Sequence, residues 1–129
     1  MGNPAAKQGD QVFATDTHII LIPPYSTPTP LPHPFAGMLS GGLSSDVNIG
    51  GMPAAVLGST ADNLPPHIPQ GGPFQSPPAN SGSVIMGSST VLINGQPAAR
   101  LGDTATTCND PADLPVGQVV ASGTVMIGG

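Results

Sequence analysis

The sequence predicts an all-β domain in which three short repeats surround an axis. Of 129 residues, 18 are glycine and 17 are proline, and this composition disfavours helix. In a helix interior glycine costs about 1 kcal/mol and proline about 3 kcal/mol. A Pro-Ala-Ala core occurs three times, and β-like runs ending in glycine accompany it. A chain of this length has room for one domain, so we expect a single domain over residues 1–129.

The three copies of the repeat cover residues 3–10, 52–59 and 96–103. A β-like run precedes the second copy at 45–51 and the third at 89–95, whereas none precedes the first. Residues 123–129 form a further such run, and the chain stops where its Pro-Ala-Ala would follow. Joining the two ends would complete this unit. The sequence therefore predicts three units around an axis, with the termini adjacent.

Each unit is predicted to contain a strand, a tight turn, an extended Pro-Ala-Ala segment and a turn at Gly-Asp. Alternation over residues 90–94 and 125–127 fits strands, and the glycine that follows suits a turn with positive φ. Residues 83–90 and 118–124 are predicted to lead into these strands as hairpins would. Because proline has no N–H to donate, the Pro-Ala-Ala tract belongs at a strand edge or in a connection.

Two proline-rich inserts interrupt the repeats. Residues 23–38 and residues 63–80 carry six prolines each. Such segments populate polyproline II and extended loops, and as flexible linkers they would need no further role. Each insert, however, contains one histidine, which connects the inserts to the chemistry of the chain.

The charge pattern excludes several classes of partner. The only basic residues are Lys7 and Arg100, against seven acidic residues, and the net charge is −5. We therefore expect neither nucleic acid nor an anionic membrane surface as a ligand, since both require several basic side chains. So few charged side chains suggest a protein whose surface is covered by a partner. No apolar run approaches the length of a membrane span, and no signal peptide is visible, so we expect synthesis in the cytoplasm.

Four side chains with nitrogen or sulfur donors suggest a metal site. His18 and His67 each follow a repeat glycine by nine residues, and Cys108 follows one by six. Three units around an axis would place these three side chains on one side of the domain. His33, from the first insert, can fold back to supply a fourth ligand. Three imidazoles and one thiolate match a closed tetrahedral site, and the sequence predicts one structural Zn²⁺, with iron as a conceivable occupant.

We expect no catalytic residues and no bound organic cofactor. A catalytic zinc keeps an open position, and four candidate ligands leave none. We interpret Asp16, Asp103 and Asp110 as turn formers. No Ser-His-Asp arrangement, phosphate-binding glycine loop or dinucleotide fingerprint occurs. The sequence therefore predicts a protein that is not an enzyme.

Residues 90–103, which end in Gln-Pro-Ala-Ala-Arg-Leu-Gly-Asp, closely resemble the PAAR (Pro-Ala-Ala-Arg) repeat family. The resemblance covers the whole chain when residues 3–10 and 123–129 are counted as one split repeat. It implies a short three-sided β cone with the proline-rich loops near its apex. It also implies a tip on the trimeric VgrG-like spike of a type VI secretion system or related contractile injection system. The family binds zinc near the apex, which here implies the ligands His18, His33, His67 and Cys108.

The implied role is structural. A monomeric tip would sharpen the trimeric spike for membrane piercing, touch the target membrane mechanically and aid the loading of effector proteins. It would be released or delivered into the target on firing. The strands around Val91 and Val125 are candidates for the spike contact. The alternatives are a small zinc-dependent hydrolase toxin delivered by such a system, and a free binding module that uses its proline-rich loops as ligands.

The chain departs from the family pattern at three positions. Only Arg100 preserves the arginine of the repeat, since the other copies have Lys7 and Val56. Ser59 replaces the aspartate found at Asp10 and Asp103. The inserts are longer than a minimal type VI member needs, and they resemble those of extracellular phage-tail-like particles. Because the chain ends with its last strand, we expect a bare tip without a toxin domain.

Overall fold

The computed structural model describes residues 2–128, which fold into strands, turns and loops without a helix. The all-β prediction is confirmed. Within this range no helix is long and apolar enough to cross a membrane. The strands are β1 (Asn3–Pro4), β2 (Gln11–Ile22), β3 (Thr27–Gly41), β4 (Asn48–Ile49), β5 (Met52–Pro53), β6 (Thr60–Asn63), β7 (Ser81–Val84), β8 (Leu92–Ile93), β9 (Gln96–Pro97), β10 (Thr104–Thr107), β11 (Leu114–Val120) and β12 (Met126–Ile127).

Six strands close into a barrel in the order β10-β11-β2-β3-β6-β7. Its largest part is the antiparallel hairpin of β2 and β3, which pair from Gln11 opposite Met38 to Ile22 opposite Thr27. The interior is filled by buried side chains that include Val12, Phe35 and Leu39. A closed barrel has no unpaired edge over the paired length of its strands.

Three two-stranded hairpins lie outside the barrel, one for each repeat. They are β4-β5, β8-β9 and β12-β1. In each hairpin the proline of the Pro-Ala-Ala segment lies opposite the residue that precedes a buried isoleucine. The opposed pairs are Asn48 and Pro53, Leu92 and Pro97, and Met126 and Pro4. The third hairpin joins the two ends of the chain, so the predicted closure of the split repeat is confirmed.

The turns of the two continuous hairpins explain the Gly-Gly and Asn-Gly dipeptides. Gly50 and Gly51 both have positive φ, of 59° and 85°, and Asn94 and Gly95 have φ of 52° and 80°. Two consecutive residues with positive φ define the type I′ turn, whose twist matches that of the flanking strands. Glycine and asparagine are the residues that adopt this conformation at least cost.

The second alanine of each Pro-Ala-Ala segment forms a closed ring of hydrogen bonds. The N–H of Ala6 donates to the carbonyl of Ala99 (2.9 Å), that of Ala99 to Ala55 (3.1 Å), and that of Ala55 to Ala6 (3.0 Å). All three side chains are fully buried. Alanine is required here because three segments of the chain approach one axis, and a larger side chain would overpack the space between them. The ring is the physical basis of the threefold arrangement.

The first insert differs from the prediction. Residues 23–38 were expected to form polyproline II or an extended loop, but most of them belong to β3. The reason lies in the spacing of four prolines at every second position, which are Pro28, Pro30, Pro32 and Pro34. In an antiparallel pair, alternate residues direct their N–H groups away from the partner strand, and proline loses nothing at those positions.

The hydrogen bonds of β2 show that the prolines occupy the outward positions. Leu21, Ile19 and Thr17 lie opposite Pro28, Pro30 and Pro32. Their N–H groups do not face β3, since they donate to Pro73, Asp110 and Asn109, respectively. These pairs are therefore the non-hydrogen-bonded ones, and each proline nitrogen faces away from β2.

The second insert, residues 63–80, matches the prediction of an extended loop, since nearly all of it lies outside the strands. Residues 64–80 belong to no strand and touch the barrel through a bridge between Phe74 and Ile20.

The two predicted hairpins do not form. The segments 83–90 and 118–124 were expected to pair with the strands that follow them. Instead β7 pairs with β6 and β10, and β11 pairs with β10 and β2. Barrel closure supplies these strands with long-range partners that local sequence does not reveal.

Candidate metal centre

The predicted ligands come from four separate parts of the fold. His18 lies on β2, His33 on β3 and His67 in the 64–80 loop, and Cys108 directly follows β10. Their side chains are buried, with His67 the most exposed at 9%. The fold thus brings together residues that are as far apart as 90 positions in the chain.

Four side chains bring their donor atoms together: Asp16, His18, His67 and Cys108. One donor atom from each lies within 4.8 Å of all the others. His67 Nε2 lies 2.8 Å from Asp16 Oδ2. Cys108 Sγ lies 3.4 Å from Asp16 Oδ2 and 3.6 Å from His18 Nε2. Two atoms bound to one ion at about 2.0–2.3 Å lie roughly 3–4 Å apart, so these separations suit a shared ion.

His33 lies beside this cluster of four. The centroid of its ring is 5.5 Å from that of His18 and 5.6 Å from that of His67. Its Nδ1 lies 2.9 Å from the carbonyl oxygen of Leu31, which fixes the proton on Nδ1. The remaining nitrogen, Nε2, is buried and has no hydrogen-bond partner within the described residues. An orphaned imidazole nitrogen with a free lone pair is chemically suited to a metal.

Asp16 is the residue that the sequence prediction misjudged. It was interpreted as a turn former, but it lies in the middle of β2, fully buried. A strand places residues i and i+2 on the same face, so Asp16 points to the same side as His18. The period of two over Asp16-Thr17-His18 was the signal available in the sequence. It was overlooked because the strand itself was not assigned there.

The other two aspartates have different roles. Asp103 does form a turn, since its Oδ2 accepts a hydrogen bond from the N–H of Arg100 (2.7 Å). Asp110 instead anchors the segment after β10 to β2. Its Oδ2 accepts the N–H of Ile19 (2.9 Å) and lies 3.5 Å from Nδ1 of His18. Nδ1 of His18 is buried and, like Nε2 of His33, has no hydrogen-bond partner within the described residues.

Burial sets the protonation of two of the candidate ligands. Desolvation lowers the pKa of His18, against the raising effect of the nearby Asp110 carboxylate, so His18 carries a neutral imidazole at neutral pH. Desolvation also raises the pKa of Cys108 to about 11, and the charge of Asp16 adds to this effect. Without a metal, Cys108 is therefore a thiol, and a metal ion that binds its sulfur must displace a proton.

The donor set fits a metal ion on chemical grounds. It combines a sulfur, imidazole nitrogens and a carboxylate oxygen, which are the three donor types that zinc takes in proteins. The single cysteine is buried and without a disulfide partner. The rings of His18 and His33 also pack against Phe74, at centroid distances of 5.8 and 5.5 Å. The 64–80 loop therefore covers the cluster with apolar surface.

Comparison with known proteins supports the family resemblance. A family model described as the PAAR motif matches residues 75–129. This range contains the third repeat, its hairpin β8-β9, Cys108 and the strand β12 that closes the ring. No curated protein matches the chain. Over residues 75–129 the chain thus carries the motif of the PAAR-repeat family, the family that its three repeats predicted.

Proposed function

We propose that the protein is a spike tip that caps the trimeric VgrG-like spike of a bacterial contractile injection system. The observation that carries the proposal is the threefold ring of Ala6, Ala55 and Ala99 with its three hairpins. One chain with three similar faces can match the end of a threefold spike as a monomer. The PAAR motif supports the same assignment, because its family belongs to secretion-system spikes.

The hairpin end of the molecule offers a surface for this contact. Val47, Val91 and Val125 occupy equivalent positions in the three units, and their side chains are 36%, 36% and 43% exposed. Leu92 and Met126 add further exposed apolar surface. Exposed apolar positions repeated around an axis favour a partner of the same symmetry.

The opposite end suits contact with a target membrane. The twelve residues of β2 lead away from the ring over roughly 36 Å. The segments 17–34 and 63–80 contain no Asp, Glu, Lys or Arg. They contact each other where the N–H of Leu21 donates to the carbonyl of Pro73. Segments without charged side chains lower the cost of moving this end into lipid, which favours mechanical piercing, and the carboxylate that contacts them, Asp110, is held at Ile19.

The proposed role of the metal centre is to strengthen this end of the molecule. We assign it one structural Zn²⁺ with His18, His33, His67 and Cys108 as ligands. A bound ion would link β2, β3, the 64–80 loop and the segment after β10, and its binding free energy would add to folding. Such help is useful in a chain with three Phe, one Tyr and no Trp.

The zinc hydrolase alternative is not favoured. The residues of the cluster are at most 9% exposed, and the cavity of about 310 Å³ that His33 and His67 line has no carboxylate among its described lining residues to act as a general base. We therefore assign the protein no enzymatic activity. Loading of effector proteins and delivery with the particle on firing belong to the same proposal, which is supported by the PAAR motif at residues 75–129.

The test is a binding measurement with the trimeric spike protein encoded beside this chain. The wild type is expected to bind with one copy per trimer, measured by light scattering of the complex. The variants Val91→Asp and Val125→Asp should weaken binding, because each places a charge in the proposed contact. Ile68→Asp is the matched control, since Ile68 is 70% exposed but lies in the 64–80 loop. Equal loss in all three variants, or no binding by the wild type, contradicts the proposal.

A further inference from the structure

The carboxylate of Asp16 is buried without a lysine or arginine partner. Its side chain is fully buried in β2. The two basic residues of the chain are engaged elsewhere, Lys7 with Asp10 and Arg100 with Asp103, both at 3.0 Å. A buried carboxylate that lacks a cation costs several kcal/mol. A cation bound next to Asp16 would compensate the charge of this buried carboxylate.

The two oxygens of Asp16 have separate surroundings. Oδ1 accepts a hydrogen bond from the hydroxyl of Thr107, and the amide of Asn109 lies 3.5 Å away. Oδ2 faces the cluster, where its neighbours are Nε2 of His67 and Sγ of Cys108. The first oxygen thus anchors the side chain, and the second is directed at the candidate ligands.

The hydrogen bonds around His67 identify the nitrogen that faces Asp16. The Asn63 side chain accepts the N–H of Ala36 through Oδ1 and donates to Asn80 through Nδ2. The same Nδ2 lies 3.3 Å from Nδ1 of His67, which therefore accepts. The proton of the neutral ring is then on Nε2 and is donated to Asp16. His67 can bind an ion through Nε2 only if this proton moves to Nδ1, which ends the hydrogen bond that Nδ1 accepts from Asn63.

We infer that Asp16 is an oxygen ligand of the metal, in addition to the three histidines and the cysteine. This inference rests on the proposed metal centre. A divalent ion with one thiolate, one carboxylate and neutral imidazoles has zero net charge, whereas the same ion without Asp16 leaves a cation and a separate buried anion. A neutral centre is the cheaper arrangement in a low-dielectric interior. It also provides the cation that the buried carboxylate requires.

The inference is tested by absorption spectroscopy of the protein loaded with Co²⁺. Five donors give weak d–d bands, and four donors in a tetrahedron give much stronger ones. The Asp16→Asn variant should therefore show bands several-fold more intense than those of the wild type. Its affinity for Co²⁺, measured against a chelator, should fall by about 10-fold or more. Asp62→Asn is the control, since it removes the same charge from an exposed site on β6.

Three results would overturn the inference or its basis. An Asp16→Asn spectrum identical to that of the wild type, with unchanged affinity, removes Asp16 from the metal. If the variant does not fold, X-ray absorption of the zinc-loaded wild type decides. One sulfur with four nitrogen or oxygen neighbours is expected, and one sulfur with three excludes the fifth ligand. If the wild type binds neither Co²⁺ nor Zn²⁺, the proposed metal centre itself is wrong.

Discussion

The backbone N–H of Val56 donates a hydrogen bond to the hydroxyl of Ser59 over 2.9 Å. The other two repeats make the same bond to a carboxylate, from Lys7 to Asp10 (3.0 Å) and from Arg100 to Asp103 (2.7 Å). In those repeats the basic side chain also pairs with the carboxylate. The second repeat has neither the cation nor the anion, and its serine makes the bond to the backbone. Val56 and Ser59 thus together take the place of the ion pair of the other two repeats.

Replacing Ser59 by alanine is expected to destabilise the protein by about 1–3 kcal/mol. The hydroxyl is fully buried and accepts from Val56, so its loss leaves the buried N–H of Val56 unsatisfied and also removes the bond that it donates to the exposed Gly42 (2.9 Å). Chemical denaturation measures the difference. Ser45→Ala, at an exposed position, should have almost no effect. Equal stability of both variants would show that the buried hydroxyl contributes nothing.

The three hairpins should contribute about equally to stability. Ile49, Ile93 and Ile127 occupy equivalent positions, are at most 8% exposed and belong to one apolar cluster. Substitution of each by alanine is expected to cost about 2–4 kcal/mol, because it removes buried methyl groups and leaves a cavity. Thermal unfolding of the three variants measures these costs. An Ile127→Ala variant as stable as the wild type would mean that the hairpin joining the chain ends does not close the ring.

Removal of a predicted metal ligand should lower metal content and thermal stability together. The changes Cys108→Ala and His67→Ala each delete one donor of the cluster, and bound metal stabilises only the folded state. Zinc content is measured by elemental analysis, and unfolding by calorimetry with and without a chelator. Full zinc retention in both variants contradicts the ligand assignment. The chelator should destabilise the wild type and leave the variants almost unchanged.

The outer edge of β3 is predicted to prevent self-association. Within the described chain no strand pairs with this edge over residues 27–34, and the prolines there leave it without outward N–H donors. The double change Pro30→Thr and Pro32→Thr supplies two donors to an exposed edge, so we expect concentration-dependent association. Sedimentation velocity measures it.

The control for this prediction is Thr29→Val, which adds no N–H donor to the outer edge of β3. Thr29 lies opposite Ile20 in a hydrogen-bonded pair, so its own N–H faces β2. This variant should remain monomeric at every concentration at which the double variant associates. A monomeric double variant would show that the prolines of β3 have no protective role.

Much of the fold follows from local sequence. The Pro-Ala-Ala cores and the split third unit predict three similar units and adjacent ends, because each unit repeats the same order of strand, glycine turn and Pro-Ala-Ala segment. The 23–38 insert was misjudged because proline content alone indicates a loop. Whether a proline is compatible with a strand depends on which way its nitrogen faces, and only the pairing with β2 decides that.

The metal centre likewise has one part that the sequence predicts and another that only the tertiary structure decides. The positions of His18, His67 and Cys108 after the repeat glycines were enough to predict that they meet, because the repeats surround an axis. The place of Asp16 was not predictable in this way. It lies opposite His33 through the register of β2 and β3, and it reaches His67 and Cys108 through closure of the barrel. The sequence by itself determined the threefold repeat, since that depends on short-range turns and spacing. Only the tertiary structure decided which side chains share the buried cluster, because strand register and barrel closure are long-range properties.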